Sequence, residues 1–146
     1  MSVLRRNHVK LSGRGTQPML FAHGFGCDQN MWRFVAPAFE DAYRVVLFDH
    51  VGSGNSDLRA WRRDKYARLQ GYADDVLEIC RELALEDVVF VGHSVSAMIG
   101  VLAAAAEPRR FARSRARLQR AYPWRPPLRS QVSSRPRAGG GPGLGP

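Results

Sequence analysis

The chain has 146 residues, enough for one ordinary domain, and carries a net charge of +9. Residues 1–108 hold 12 Lys and Arg against 13 Asp and Glu, whereas residues 109–146 hold 10 Arg and no acid. The basic charge therefore belongs to the C-terminal segment, and it does not make the rest of the chain a nucleic-acid or membrane binder.

The first half of the chain predicts three short strands and one helix. Strands are expected at about residues 9–11, 19–22 and 43–48, where short apolar runs lie beside turn residues. Between the last two strands, apolar residues at helical spacing predict a helix over about 31–39, with Pro37 as the place for a kink or a break.

The second half alternates helices with a further strand. A loop and short helix are expected over residues 59–68, then an amphipathic helix over 72–83, a strand over 88–91 and an apolar helix over 95–106. A helix that is apolar all round is expected to be enclosed on most sides. The alternation predicts an α/β fold, with a mostly parallel sheet and helices on both faces.

The strongest chemical signal is the segment Gly92-His93-Ser94-Val95-Ser96, which joins the last predicted strand to the apolar helix. A sharp turn of this kind lifts a serine hydroxyl above the sheet, so Ser94 is the candidate catalytic nucleophile. The commonest pattern, G-x-S-x-G, has glycine where this chain has Ser96, but serine is still small. The alternative is an ordinary serine that caps a helix.

A second glycine-rich loop, His23-Gly24-Phe25-Gly26, follows the strand at 19–22. Enzymes built around a nucleophile elbow take one oxyanion N–H from the residue after the nucleophile and the other from a loop after an earlier strand. Val95 and Phe25 occupy these two places. The alternative is a plain strand-to-helix turn. As a dinucleotide fingerprint the loop fails, because Gln29 stands where a third glycine or alanine is needed.

Three blocks of sequence, at residues 23–32, 47–57 and 90–100, are specific when taken together. They resemble the small α/β-hydrolase group that contains the bacterial sigma-B pathway regulator RsbQ and the plant strigolactone and karrikin receptor hydrolases. That group also tolerates serine at the position of Ser96. The resemblance covers about residues 5–113 and implies the N-terminal half of an α/β-hydrolase. It also implies a Ser-Asp-His triad in which Ser94 attacks an ester-like carbonyl.

The triad acid and base cannot be assigned in this chain. In this fold both follow the nucleophile, yet the only acid after Ser94 is Glu107 and no histidine follows at all. Among the earlier histidines, His50 follows a strand in a loop; the favoured interpretation is a loop residue without a role, and the alternative is a residue near the rim of the site. Without a base the Ser94 hydroxyl stays protonated and weakly nucleophilic, so the chain as written is expected to be inactive.

Residues 114–146 are expected to form a disordered tail rich in Arg, Pro and Gly, after a partial hydrolase domain over 1–113. The composition suggests the hypothesis of a frameshift or a truncated gene model. An arginine-rich nucleic-acid arm is the alternative, which the absence of Lys and of a binding fold disfavours. If nothing after Arg113 continues the sheet, the strand at 88–91 is expected to be an open edge and the chain poorly stable.

Cofactors and membrane contact are not expected. Cys27 and Cys80 give neither a metal-binding spacing nor a disulfide framework, which favours a reduced, cytoplasmic setting without metal. The N-terminus has no secretory signal, and the apolar run at 97–106 is too short to span a bilayer.

Two functions remain open at this point. The first is a truncated serine hydrolase whose full-length relative cleaves a small apolar ester or lactone. The second is a non-catalytic regulator of a stress-signalling pathway, which binds a small hydrophobic ligand and a signalling protein partner. The two differ in whether Ser94 reacts.

Overall fold

The computed structural model describes residues 2–112, and the predicted tail at 114–146 lies outside the described residues. Four α-helices and four strands follow one another in this part of the chain, with short 3-10 helices between them. Their bounds are α1 Val3–Arg6, β1 Lys10–Ser12, β2 Pro18–Ala22, β3 Arg44–Phe48, α2 Arg63–Tyr66, α3 Leu69–Glu82, β4 Val89–Gly92 and α4 Val95–Ala106. The 3-10 helices are Gln29–Trp32, Ala36–Phe39, Leu58–Ala60 and Pro108–Arg110.

The strands form one sheet in the order β1-β3-β2-β4. The strands β3, β2 and β4 are parallel, and β1 pairs with β3 in the antiparallel direction. All five residues of β2 are buried, as expected for a central strand covered on both faces. The predicted mostly parallel α/β sheet is therefore confirmed.

Alternate residues of β2 point into two separate cores. Leu20 and Ala22 belong to a cluster built with α3 and α4, while Met19 and Phe21 pack with the 3-10 helices on the other face. Because successive side chains of a strand point to opposite faces, one strand supports both layers. This arrangement leaves the carboxyl ends of the parallel strands free to carry loops.

Two predictions about helices are wrong in detail. The single helix expected over 31–39 is two 3-10 helices, with Pro37 near the start of the second, because proline has no N–H to continue a helix. The helix α4 is not enclosed on most sides within residues 2–112, where Met98 is 57% exposed and Val101 is 50% exposed. Its buried residues are Ser96, Ile99, Gly100 and Ala103, and Gly100 lies against the ring of Phe90.

The outer edge of β4 is not fully open. Val88 forms a parallel bridge with Phe111, and its backbone N–H donates to the Arg110 carbonyl at 2.9 Å. The Ala112 N–H in turn donates to the Val88 carbonyl at 2.9 Å. The expected open edge is therefore wrong at its first residue, Val88, which pairs with Phe111 through a single bridge.

A buried carboxylate ties α1 to the helices that follow β3. Asp75 in α3 is fully buried and accepts from Arg6 at 2.8 Å and from the Tyr66 hydroxyl at 2.9 Å. The Lys65 ammonium lies 2.6 Å from the same carboxylate. A buried charge needs such partners, so this ion cluster holds α1 against α3.

Candidate functional site

Ser94 occupies a sharp turn between β4 and α4. Its φ of 56° and ψ of −121° lie in a region that non-glycine residues rarely adopt, and its side chain is exposed. A Cβ atom added to Gly92 would lie 2.6 Å from the Ser96 carbonyl oxygen, so the turn requires glycine at that position. Strained backbone of this kind occurs at functional sites and presents the serine hydroxyl above the sheet.

The loop after β2 lies directly against this turn. The His93 backbone N–H donates to the Ala22 carbonyl at 3.0 Å, which joins the elbow to the end of β2. A Cβ atom on Gly24 would lie 2.5 Å from His93 Nδ1, and Gly26 has a φ of 72°. Two glycines therefore let the loop bend closely around the elbow.

The two candidate oxyanion donors line the same cavity. Phe25 and Val95 both contribute to its wall, and neither backbone N–H has a hydrogen-bond partner within residues 2–112. Val95 is the first residue of α4, so its N–H is one of the free donors at the positive end of that helix. The fold therefore places two free N–H groups next to the loop that carries Ser94.

The cavity has a volume of about 420 Å³ and a mainly apolar wall. Its large apolar lining residues are Phe25, Trp61, Leu69, Tyr72, Val95 and Ile99, of which Phe25 is 94% exposed. A cleft of this size with few polar groups is typical of a site for a small molecule. The structure thus gives Ser94 a neighbouring space for an apolar ligand.

His50 belongs to this site, contrary to the sequence interpretation that it has no role. It is 5% exposed, lines the cavity, and its Nε2 lies 2.7 Å from the Ser96 hydroxyl oxygen. Burial and the neighbouring His23 lower its pKa to about 3, so the imidazole is neutral at ordinary pH. The available signal was its position directly after β3, since carboxyl ends of parallel strands meet at one edge.

No triad partner for Ser94 stands within residues 2–112. His50 is bound to Ser96 rather than to Ser94, and its low pKa makes it a poor base. Asp49 is fully buried and accepts backbone N–H groups of Gln29 at 2.8 Å and Asn55 at 2.9 Å, so it holds loops together. The predicted absence of a triad acid and base from the chain remains a sequence observation.

The described part of the chain has no group of three or more His, Cys, Asp or Glu residues that could hold a metal ion. In residues 2–112 no helix has the length and apolar character needed to cross a bilayer. Cys27 and Cys80 are both free thiols, and burial raises the pKa of Cys80 to about 12.

Comparison with known proteins agrees with this geometry. The chain is 43% identical over 112 residues to Karrikin insensitive 2 receptor CA of Petunia hybrida, covering 76% of this chain and 42% of that protein. It is 38% identical over 112 residues to Strigolactone esterase D14 of Arabidopsis thaliana, covering 77% of this chain and 42% of that protein. The chain thus spans about two fifths of the length of these curated relatives.

Solved structures show the same similarity. A hydrolase from Oleispira antarctica superimposes with a TM-score of 0.73 and 47% identity, over 75% of this chain and 40% of that one. The structure of Est816, described as an N-acyl homoserine lactone degrading enzyme, gives a TM-score of 0.63 with 30% identity, over 70% of this chain and 38% of the other. A family model described as the alpha/beta hydrolase fold matches residues 17–132. The chain therefore belongs to the α/β-hydrolase fold family.

Proposed function

We propose that this chain carries the nucleophile and the oxyanion hole of a serine hydrolase. The observation that carries the proposal is the positive-φ elbow of Ser94 beside the free N–H groups of Phe25 and Val95. In this mechanism the Ser94 oxygen attacks an acyl carbonyl carbon and gives its proton to a base. The carbonyl oxygen becomes an oxyanion, which accepts hydrogen bonds from Phe25 and Val95.

We propose a small apolar ester or lactone as the substrate. The cavity of about 420 Å³ and its aromatic and aliphatic wall favour a compact apolar group. The names of two similar proteins, a strigolactone esterase and an N-acyl homoserine lactone degrading enzyme, support the same acyl chemistry. An oxyanion hole made of two backbone donors suits any ester carbonyl, so the cavity wall determines the choice of substrate.

No histidine follows Ser94 in these 146 residues, so an experiment on them must supply the base in solution. A diffusible base can replace a missing side chain, although it acts with a lower effective concentration. We therefore expect a fluorophosphonate probe to modify Ser94 slowly, and imidazole added to the buffer to raise that rate. The modified residue is identified by peptide mass spectrometry of the full chain.

Two variants make this labelling experiment decisive. The variant Ser94→Ala should lose the labelling, and Ser12→Ala, which alters a serine on β1, should keep it. Labelling at Ser94 that rises with imidazole concentration supports the proposal. Modification of other residues but not of Ser94, or no modification at any imidazole concentration, contradicts it.

A non-catalytic ligand-binding regulator is the second candidate. It is favoured by one observation, an apolar cavity next to Ser94 without a base in residues 2–112. The receptor name of the Petunia relative supports a sensing role. The signalling partner, the sigma-B type stress pathway and the cytoplasmic setting stay predictions from the resemblance and the composition. Saturable binding of an apolar lactone that Ser94→Ala leaves unchanged, without labelling of Ser94, would favour this function.

A further inference from the structure

Ser96 stands where the G-x-S-x-G pattern has glycine, and its side chain is fully buried. Its hydroxyl oxygen lies 2.5 Å from the His23 carbonyl oxygen and 2.7 Å from His50 Nε2. These contacts join α4, the end of β2 and the end of β3, three segments that are far apart in the sequence. The hydroxyl therefore has a structural partner on each side, which a glycine could not supply.

Proton counting gives each hydrogen bond a direction. A carbonyl oxygen only accepts, so the Ser96 hydroxyl donates to the His23 carbonyl. The single hydroxyl proton is then used, and His50 Nε2–H must donate to Ser96. His50 Nδ1 is left without a proton, and it is a buried atom with no partner within residues 2–112.

The hydrogen bonds of His23 determine its tautomer in the same way. The backbone N–H of His50 donates to His23 Nε2 at 3.0 Å, so this nitrogen carries no proton. His23 Nδ1 lies 2.9 Å from the Gly24 carbonyl oxygen and donates to it. His50 thus holds His23 by two routes, directly through its backbone and indirectly through Ser96.

The rings around His50 hold this arrangement in one orientation. Phe48 and Tyr72 meet the imidazole edge-on, both at 85°, with centroids 5.1 Å and 5.5 Å away. The His23 ring lies 4.7 Å away at 64°. Since aromatic pairs prefer edge-to-face contact, rotation of the imidazole away from Ser96 would lose both packing and a hydrogen bond.

We infer that Ser96 and His50 are positioning residues that fix the loop His23–Gly26 against the elbow, and so set the distance between the Phe25 and Val95 N–H groups. This inference rests on the proposed function for its role in catalysis. The Ser96 hydroxyl holds the His23 carbonyl two residues before Phe25, and Ser96 itself follows Val95. One hydrogen bond from the Ser96 hydroxyl therefore connects the segments that carry the two oxyanion donors.

Imidazole tautomers provide a readout that a general loss of packing would not change. Long-range ¹H–¹⁵N spectra of the full chain should show protonated Nε2 on His50 and protonated Nδ1 on His23. In Ser96→Ala the His50 Nε2–H loses its acceptor, so its exchange with water should become at least about tenfold faster. The Phe25 and Val95 amide resonances should shift in the same variant.

A second arm measures the consequence for reactivity. Loss of one oxyanion donor lowers the reaction rate by a factor of about 10²–10³. A donor that is displaced but not lost should have a smaller effect. We therefore expect the rate of imidazole-assisted labelling of Ser94 to fall about tenfold in Ser96→Ala. Ser96→Gly should fall similarly. Ser12→Ala is the matched control. It also removes a serine hydroxyl with a hydrogen bond, since Ser12 on β1 donates to Glu40 at 2.7 Å, but this residue does not line the cavity.

The outcomes separate this inference from the proposed function. A wild-type His50 protonated on Nδ1, or Ser96 variants that keep the wild-type amide resonances and labelling rate, would overturn the inference. Wild-type Ser94 that resists labelling, together with the expected tautomers and the expected shifts in Ser96→Ala, would overturn the proposed function and leave the positioning role supported.

Discussion

Burial of His50 makes the stability of the protein depend on pH in a defined direction. The native imidazole has a pKa of about 3, against 6.5 for an exposed histidine. Below pH 6.5 the unfolded chain therefore binds a proton that the native protein excludes. Stability is lost as the pH falls from 6.5 towards 3, and the group has no effect well above pH 6.5.

The size of this effect follows from the two pKa values. Between pH 7 and pH 5 the linkage relation gives a loss of about 2 kcal/mol from this one group. The variant His50→Gln cannot titrate, so its free energy of unfolding should fall by about 2 kcal/mol less than that of the wild type over the same interval. Urea unfolding followed by circular dichroism, at pH 7 and pH 5, measures both differences.

Comparison of the two pH dependences removes the contribution of the carboxylates, which the two proteins share. His50→Gln is expected to be less stable at pH 7, because the bond to Ser96 is disturbed, but only the change in stability with pH reports the titration of His50. Equal losses for wild type and variant would show that His50 titrates normally in the folded protein. The buried, neutral imidazole would then be refuted.

Three further predictions concern turnover and stability. The purified chain should hydrolyse p-nitrophenyl esters at no more than a weak residual rate, and substantial turnover that disappears in Ser94→Ala would contradict the missing base. Asp75→Asn should lower the free energy of unfolding by about 3 kcal/mol, because it leaves Arg6 and Lys65 underpaired, while the exposed Asp74→Asn should have little effect. Chemical denaturation compares the two, and equal losses would exclude the ion cluster as the cause. Gly92→Ala should cost about 1–3 kcal/mol and move the elbow, because its Cβ would meet the Ser96 carbonyl, and an unchanged melting temperature would contradict this.

The strands and the elbow could be predicted from the sequence because their signals are local. The apolar run of β2 and the small residues around Ser94 each determine their own backbone, with little help from distant residues. The sequence also predicts a kink or a break at Pro37, whereas the structure has two 3-10 helices with Pro37 inside the second. The elements of the sheet therefore came within about a residue or two of the observed strands.

The role of His50 could not be predicted, because it depends on contacts across the fold. Its partners His23 and Ser96 lie 27 and 46 residues away, and only the strand order brings them to one edge. Burial and the neighbouring His23, which lower its pKa, likewise come from the fold, and Tyr72 of α3 packs edge-on against the imidazole. The helix α1 and its ion pair with Asp75 escaped prediction because so short a helix depends on tertiary contacts.

The central claim is that the Phe25 and Val95 N–H groups receive the oxyanion of a substrate attacked by Ser94. It is tested most directly by a crystal structure of the chain after imidazole-assisted modification of Ser94 with a fluorophosphonate, because the phosphoryl oxygen occupies the place of the oxyanion. We predict that this oxygen lies about 2.7–3.1 Å from both backbone nitrogens. A phosphoryl oxygen directed to solvent, or held by other groups, would contradict the account.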